Sequence, residues 1–569
     1  MKMGKRWVLK PTLDKGHVET LSKELNINSS LATMLIQRGI TDYNKAKAFF
    51  RPSLDDLHDP FLMKDMDIAV ARLQKAITSN EKILVYGDYD VDGTTSVSLF
   101  YGFLSQKYSN MDYYIPDRYK EGYGISTQGI DWAKENGFTL IVSLDCGIKS
   151  VDKINYANSL GIDFIICDHH NTDEELPKAV AVLDPKRSDC NYPYKELSGC
   201  GVGFKLLQAL CKKNNYDEKG LYSYLDLLAI SIASDIVPIT GENRIFTYYG
   251  LKLINRKPRP GVSALIELAA LKKDVEVSGI VFGFAPRINA AGRIAHAGTA
   301  VELLLSKTEE ETDSLSETIN DRNTQRRDFD KSITQEALEM IESDEELLNS
   351  KSTVLYKEHW HKGVIGIVAS RCIEKHYKPT IIFTASNGHA AGSARSVEGF
   401  DVYEAISQCS DLLEQFGGHK YAAGLTLKID NIPAFQKKFE EVVAASITEE
   451  QLIPQVEIDL PISLNQVNEK FYNIIKQMAP FGPQNMEPVF VSKCVVDAGQ
   501  SRLLKGEHIK LHIKQENTEP VEAIAFGMAE FFPGISIGKP FNLCYKICEN
   551  EFNGKKSLQL LVKDIKFVD

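Results

Sequence analysis

The run Ile83-Leu84-Val85-Tyr86-Gly87-Asp88-Tyr89-Asp90-Val91-Asp92-Gly93 constrains this chain more than any other stretch. Apolar residues of strand type end in a glycine, three aspartates follow at alternate positions, and Thr94-Thr95-Ser96 opens a helical pattern. The alternation predicts that Asp88, Asp90 and Asp92 gather at the carboxyl end of a buried strand. Carboxylates that close repel one another and stay ionised only beside cations. Their hard oxygen atoms suit Mg²⁺ or Mn²⁺. Aspartates beside glycine also make ordinary turns, and the run mimics the opening of an EF-hand loop. The calcium reading fails, because the twelfth position counted from Asp88 is Leu99, where such a loop needs a bidentate glutamate. The approach is also a strand, not a helix.

From Glu81 onward the pattern alternates: strand Ile83–Tyr86, helix Thr94–Gln106, strand Asp112–Ile115, helix Thr127–Glu135, strand Thr139–Ser143, helix Val151–Leu160, strand Asp163–Cys167. This predicts an α/β fold, a doubly wound and mostly parallel sheet with helices on both faces. Such sheets bind ligands outside the carboxyl ends of their strands. The chain meets that rule repeatedly. One apolar run leads into Asp145-Cys146-Gly147 and another into Asp168-His169-His170, while an apolar helix over Leu227–Ala233 precedes Ser234-Asp235. Any one of these groups alone reads as a cap or a core residue. Several arriving at one rim fit a site for two divalent cations.

At 569 residues the chain is too long for one core, and about two to four domains are expected. We place a helical extension at 1–80, a catalytic domain at 81–250, a helical connector at 251–340, a second α/β domain at 341–450 and a β-barrel at 453–569. In the second α/β domain, Gly417-Gly418 follows a predicted helix over Val402–Phe416 and frees backbone N–H groups for an anion. Ser393 and Arg395 stand two apart on a predicted strand, hence on one face, and suit a terminal phosphate. In the last segment, short strands over Pro488–Val491, His508–Ile513, Val521–Ala525, Asn542–Ile547 and Ser557–Val562, separated by turns such as Asn553-Gly554-Lys555, predict an OB-fold. Arg502, Lys505, Lys510, Lys514 and Phe526 are its candidate contacts to a single strand. The basic segment Asp321–Arg327 lies on a helix placed to touch a passing backbone, although charge runs are usually solvated faces.

Composition narrows the setting. The residues are 43% hydrophobic and 25% charged, ordinary for a globular protein. There is no bilayer-length apolar run and no signal-peptide core after Met1-Lys2-Met3-Gly4. Ten cysteines without a C-x-x-C pair predict reduced thiols and a cytoplasmic protein. The formal net charge of −11 argues against non-specific coating of nucleic acid, though not against a local basic groove.

Gly87–Gly93, Asp145–Gly147, Asp168–His170 and Ser234-Asp235 resemble, in order and spacing, the four motifs of the DHH phosphoesterase superfamily. Ile115–Arg118, Glu121–Gly124, Ala285–Arg293 and His359–Arg371 are similar to the RecJ-type exonucleases within it, and Gly417-Gly418-His419 with Ala422–Gly424 to the DHH-associated domain. With the barrel, the likeness covers most of the chain.

The resemblance implies a 5′-to-3′ exonuclease specific for single-stranded DNA, releasing 5′-mononucleotides in recombination and repair with two Mn²⁺ or Mg²⁺ ions. Its ligands would be Asp90, Asp92, Asp145, His169 and Asp235, with Asp145 bridging and Asp88 completing or supporting one shell. Asp168 would orient His169 through its second ring nitrogen, and His170 would donate to a phosphoryl oxygen. Arg118 would be the first domain's contribution to the phosphate pocket of Ser393 and Arg395. Arg287, Asn289, Arg293 and His296 would line the approach, and Gly417, Gly418 and His419 would bind substrate. A monomer working with a helicase and a single-strand-binding protein is implied. The alternatives are a DHH enzyme acting on oligonucleotides, cyclic dinucleotides or pyrophosphate, and a replication scaffold without chemistry.

Overall fold

A computed structural model describes residues 4–11, 13–294, 296–516, 518–552 and 554–568. Asn553, in one expected turn, and Met1-Lys2-Met3 lie outside the described residues. The chain divides into two compact units. One comprises residues 47–326 with 478–486, the other residues 1–46, 327–477 and 487–569.

The first unit is built on a parallel sheet in the order Met111–Tyr114, Ile83–Gly87, Leu140–Leu144, Asp163–Cys167, Ala181–Leu183. Ile83–Gly87 and Leu140–Leu144 are buried throughout, and Asp163–Cys167 is buried after its first residue, which is why they read as unbroken apolar runs rather than alternating ones. Both faces are covered. One core joins Val85, Val142 and Ile165 to Phe100, Phe204, Leu228 and Phe246, and the other joins Leu84, Ile141 and Phe164 to Ile130, Phe138 and Ile154. The first core also takes in Val262, Ile280, Phe284, Ile288 and Val301. Helices from the expected connector are therefore part of this unit, because their apolar faces pack into its core.

The helix after the first strand begins at Val91, earlier than the Thr94 expected, because Asp90 caps it by accepting from the Gly93 N–H. Asp92 consequently sits in the first helical turn and not on an extended alternation. Gly93 is required there: a Cβ would lie 2.3 Å from the Asp88 carbonyl oxygen and 2.6 Å from its nitrogen.

The second unit holds three more sheets among the described residues, one of them only two-stranded. A five-stranded mixed sheet runs Gln415–His419, Ala422–Leu427, His389–Arg395, Thr380–Ser386, Thr353–Tyr356, with only the last pair parallel. The helix expected over Val402–Phe416 stops at Ser407, and Gly417 and Gly418 lie in a strand rather than behind a helix. Pairing with Ala422–Leu427 decides this, a long-range preference that local pattern does not carry.

The third sheet closes on itself. Phe490–Asp497 pairs with both Phe541–Phe552 and His508–Lys514, completing a ring through Lys555–Phe567 and Val521–Ala525. This is the expected five-stranded barrel, with no open edge in the ring. Near the amino terminus, Arg6–Leu9 pairs in parallel with Gln455–Ile458, and the Trp7 indole N–H donates to Asp564 at 2.6 Å. No helix among the described residues is long and apolar enough to cross a membrane.

Candidate metal centre and anion pocket

Asp88 ends the first strand, and its Oδ1 accepts from the Gly124 N–H at 3.1 Å. Asp145 follows the Leu140 strand with φ 61°, a left-handed conformation uncommon for a residue with a Cβ. Gly199 makes that possible, since a Cβ there would lie 2.5 Å from the Asp145 Cβ. Asp92 is held by the N–H groups of Gly199 and Cys200, at 2.7 and 3.0 Å, and by the Ser231 hydroxyl at 2.7 Å. The helix Gly199–Asn214 thus points its N-terminus at this carboxylate, the favourable sense of the helix dipole.

His169 ties the strand ends together. Its Nε2 lies 3.2 Å from Asp145, 3.5 Å from Asp235 and 3.8 Å from Asp92. Two sets of groups come within coordinating reach. One atom each of Asp145, His169 and His170, and one each of Asp92, His169 and Asp235, lie within 4.8 Å of one another.

Electrostatics describe a centre short of positive charge. Burial, then the charge of Asp90, pushes the Asp88 carboxyl well above its ordinary range. Burial and the charges of Asp92, Asp90 and Asp235 do the same to Asp145. The Asp90 carboxyl is also raised by burial, and Asp235 is pushed up to about 8 by burial and its neighbours Asp92 and Asp90. Burial brings His169 down to about 4. The Oδ2 of Asp88, the Oδ1 of Asp145 and both ring nitrogens of His169 are buried without a hydrogen bond among the described residues. Buried polar atoms of this kind are rare without a missing partner. Carboxylates with a neutral imidazole are the donor set that Mn²⁺ or Mg²⁺ takes, so these residues fit such ions.

Asp168 corrects one expectation. The imidazole it meets is that of His170, not that of His169. The Asp168 Oδ1 accepts from the backbone N–H groups of His169 and His170, at 2.7 and 3.2 Å, and lies 2.7 Å from the His170 Nδ1. Asp168 therefore meets the His170 ring while His169 turns toward Asp145 and Asp235. Burial works to lower the His170 imidazole, but the hydrogen bond and charge of Asp168 outweigh it and push it up to about 9. Despite its own burial, the Asp168 carboxyl is held far below the ordinary range by His170 and His169. The Tyr123 hydroxyl stands 3.2 Å from the His170 Nε2.

Sequence reasoning missed Asp184. It is fully buried just past the fifth strand, Ala181–Leu183, with its Oδ2 unpartnered among the described residues and its carboxyl pushed up to about 7 by burial. The signal was available: Ala181-Val182-Leu183 running into an aspartate repeats the strand-end pattern of Asp145 and Asp168.

The expected approach residues lie in the same unit. The Arg118 guanidinium stands 5.0 Å from the Tyr89 ring, and Arg118 and Arg293 both act on that phenol's charge. Asn289 and Arg293 share the helix Ala285–Ile294, whose Gly292 approaches the Tyr89 carbonyl. Arg287 braces that region internally, donating to the carbonyls of Gly283 and Leu268. His296 is exposed and accepts from the Gly298 N–H.

The second cluster belongs to the other unit. The Arg395 Nη1 donates to the Ser393 hydroxyl at 3.1 Å. Register sets Ser393 and Gly417 on either side of Gly424, and Arg395 and His419 on either side of Ala422. Residues in one row across a sheet share a face, so serine, arginine and histidine flank a floor of small residues. A Cβ on Gly417 or Gly424 would meet nothing within 4 Å, leaving this floor open. On the barrel, Lys510 is already paired with Glu522 at 3.0 Å, while Phe526 is 57% exposed.

Family models agree with this architecture. The DHH family N-terminal domain matches residues 82–232, the DHHA1 domain 349–445 and the RecJ OB domain 458–564. The single-stranded-DNA-specific exonuclease RecJ of Bacillus subtilis is 37% identical over 564 residues, covering 98% of this chain and 70% of that protein. The Salmonella typhimurium RecJ is 34% identical over 525 residues, with coverages of 88% and 90%.

The chain belongs to the RecJ family.

Among solved structures, RecJ from Thermus thermophilus in complex with Mn²⁺ superposes with a TM-score of 0.86 at 25% identity, over 100% of this chain and 80% of that one. The same protein with Mg²⁺ gives 0.79 over 99% and 79%. The RecJ OB match lies on the closed barrel described above.

Proposed function

We propose that this chain is a metal-dependent exonuclease that degrades single-stranded DNA from its 5′ end and releases 5′-mononucleotides. The observation that carries the reading is the set of buried atoms without a hydrogen bond on Asp88, Asp145 and His169 in a chain whose relatives are named single-stranded-DNA-specific exonucleases.

Asp88, Asp90, Asp92, Asp145, His169 and Asp235 would hold two Mn²⁺ or Mg²⁺ ions. Bound there, the ions supply neutralising charge at the reacting phosphate and lower the pKa of a water that attacks it. His170, kept protonated by Asp168, donates a hydrogen bond to a phosphoryl oxygen and loses none of its orientation doing so, because its Nδ1 is anchored. Arg395 and Ser393 receive a terminal phosphate through charge-assisted hydrogen bonds, over the floor formed by Gly417 and Gly424. Arg118, Asn289, Arg293 and His296 contact the incoming strand, and Arg287 supports them from within. The barrel's exposed Phe526 offers a stacking surface for a base.

The enzyme acts in the cytoplasm as a monomer, in recombination and repair, on strands exposed by a helicase and shared with a single-strand-binding protein. Cys146, Cys167, Cys190, Cys200 and Cys211 are free thiols, in keeping with a reducing compartment. The test is digestion of single strands labelled at either end, with Mn²⁺ and with EDTA. Early release of the 5′ label as a mononucleotide, abolished by chelator, is expected. Earlier release of the 3′ label, or full activity in EDTA, overturns the proposal.

A further inference from the structure

The backbone beside Asp235 is held in a conformation that its own residues do not favour. Ile236 has φ 60°, where a β-branched side chain crowds the carbonyl oxygen. Its side chain is 66% exposed, so its own packing does not impose the conformation. The restraint comes from either side. Before it, the Asp235 N–H closes the preceding helix on the Ser231 carbonyl at 2.9 Å. After it, the Pro238 carbonyl accepts from the Tyr194 hydroxyl at 3.1 Å and the Asn243 amide at 3.0 Å, and the Ile239 N–H donates to the Pro483 carbonyl at 2.9 Å.

Pro483 is remote in sequence. It belongs to the short segment 478–486, which groups with residues 47–326 in one compact unit. Arg244 seizes the segment's start, donating to the carbonyls of Met478, Ala479 and Pro480 at 2.9, 2.9 and 3.3 Å. Asn485 closes its end. The Asn485 amide donates to Met478 and Pro480 at 3.0 and 2.8 Å, and its backbone pairs with Gly482 in both directions. The turn so fixed presents the Pro483 carbonyl to Ile239.

We infer that the segment 478–486 positions the Asp235 carboxylate for metal binding: Asn485 fixes the turn, the turn grips Ile239, and the grip keeps Ile236 in the strained conformation that aims Asp235 at His169. The inference rests on the metal reading proposed above. Asn485 and Pro483 are positioning residues, and they touch neither ion nor substrate.

The full-length chain tests it by Mn²⁺ titration, with free Mn²⁺ read by electron paramagnetic resonance, alongside thermal unfolding in EDTA. Asn485→Ala is expected to weaken Mn²⁺ binding about tenfold, as loss of an outer support does, and to lower the metal-free unfolding temperature, because two buried hydrogen bonds are lost. Adding Ile236→Gly to that variant is expected to restore most of the affinity, because glycine holds a positive φ without the steric cost. Wild-type affinity in Asn485→Ala, or a loss that Ile236→Gly does not relieve, overturns the inference. Should Asn485→Ala fail to fold, Gly482→Ala makes the same test, since its Cβ would lie 2.4 Å from the buried Ile239 side chain. The same weakening, relieved by Ile236→Gly, is expected there, and unchanged binding overturns the inference. No Mn²⁺ binding by the wild-type chain overturns the metal reading and this inference with it.

Discussion

The Asp168 carboxylate and the His170 imidazole, two residues apart just past the strand Asp163–Cys167, meet at 2.7 Å through Oδ1 and Nδ1. Because Asp168 also takes the N–H of Ile148 and those of His169 and His170, it cannot swing away, and the imidazole it holds stays cationic past neutrality.

That pair gives a titration to measure. In the metal-free protein the His170 ring is expected to titrate near 9 by nuclear magnetic resonance, and Asp168→Asn is expected to bring it down toward the ordinary 6.5. The sign for stability follows: with its folded pKa raised, His170 contributes fully below about 6.5 and loses that contribution as pH rises through about 9. Activity of Asp168→Asn should fall about 10²-fold or more. An unmoved titration in the variant would show that another group keeps His170 charged.

Removing the metal should change the pH dependence of stability. The Asp235 carboxyl is raised from 3.8 to about 8, so its contribution in the metal-free fold is complete below about 3.8 and lost as pH rises through about 8. In EDTA the unfolding temperature is expected to fall between about pH 6 and about pH 8.5. With Mn²⁺, protons no longer compete and the metal's stabilising increment should grow over the same range. Differential scanning fluorimetry checks both trends, and a flat increment would argue against carboxylate ligation.

Gly93→Ala forces a Cβ to within 2.3 Å of the Asp88 backbone oxygen. Neither strand end nor helix start can yield without moving Asp88, Asp90 and Asp92 apart. Destabilisation of about 1–3 kcal/mol is expected, with Mn²⁺ binding and nuclease activity lost more severely than the fold. Chemical denaturation and metal titration on the same preparation separate the two.

Arg395→Ala is expected to act on the end of the strand and not on the chemistry. Loss of a charge-assisted contact should raise KM for 5′-phosphorylated strands about 10–100-fold, with a smaller change in kcat. Preference for a 5′ phosphate over a 5′ hydroxyl should disappear with it. Steady-state kinetics on the two substrates decides the point; equal losses on both would remove Arg395 from the pocket.

Much of this was legible in the sequence because the catalytic sheet is written in local terms. Buried parallel strands are continuous apolar runs, and the residues that follow each run lie at one rim by the rule of the fold. Asp88, Asp145 and His169 could be placed on that basis alone. The closed barrel could be named from its short strands. Gly417 and Gly418 could not be placed on a strand, because that strand exists only through its pairing with Ala422–Leu427.

The sequence by itself determined which groups gather: Asp88, Asp145, Asp168 and His169 each follow a buried apolar strand, and that is a property of neighbouring residues. Only the tertiary structure decided how they are held. That Asp168 serves His170, that Gly199 and Cys200 clasp Asp92, and that Pro483 braces the loop of Asp235 depend on segments brought together from far along the chain. Their hydrogen bonds form across distances in sequence that no local pattern records, and Arg244 and Asn485 look like ordinary polar residues until the fold buries them against carbonyls.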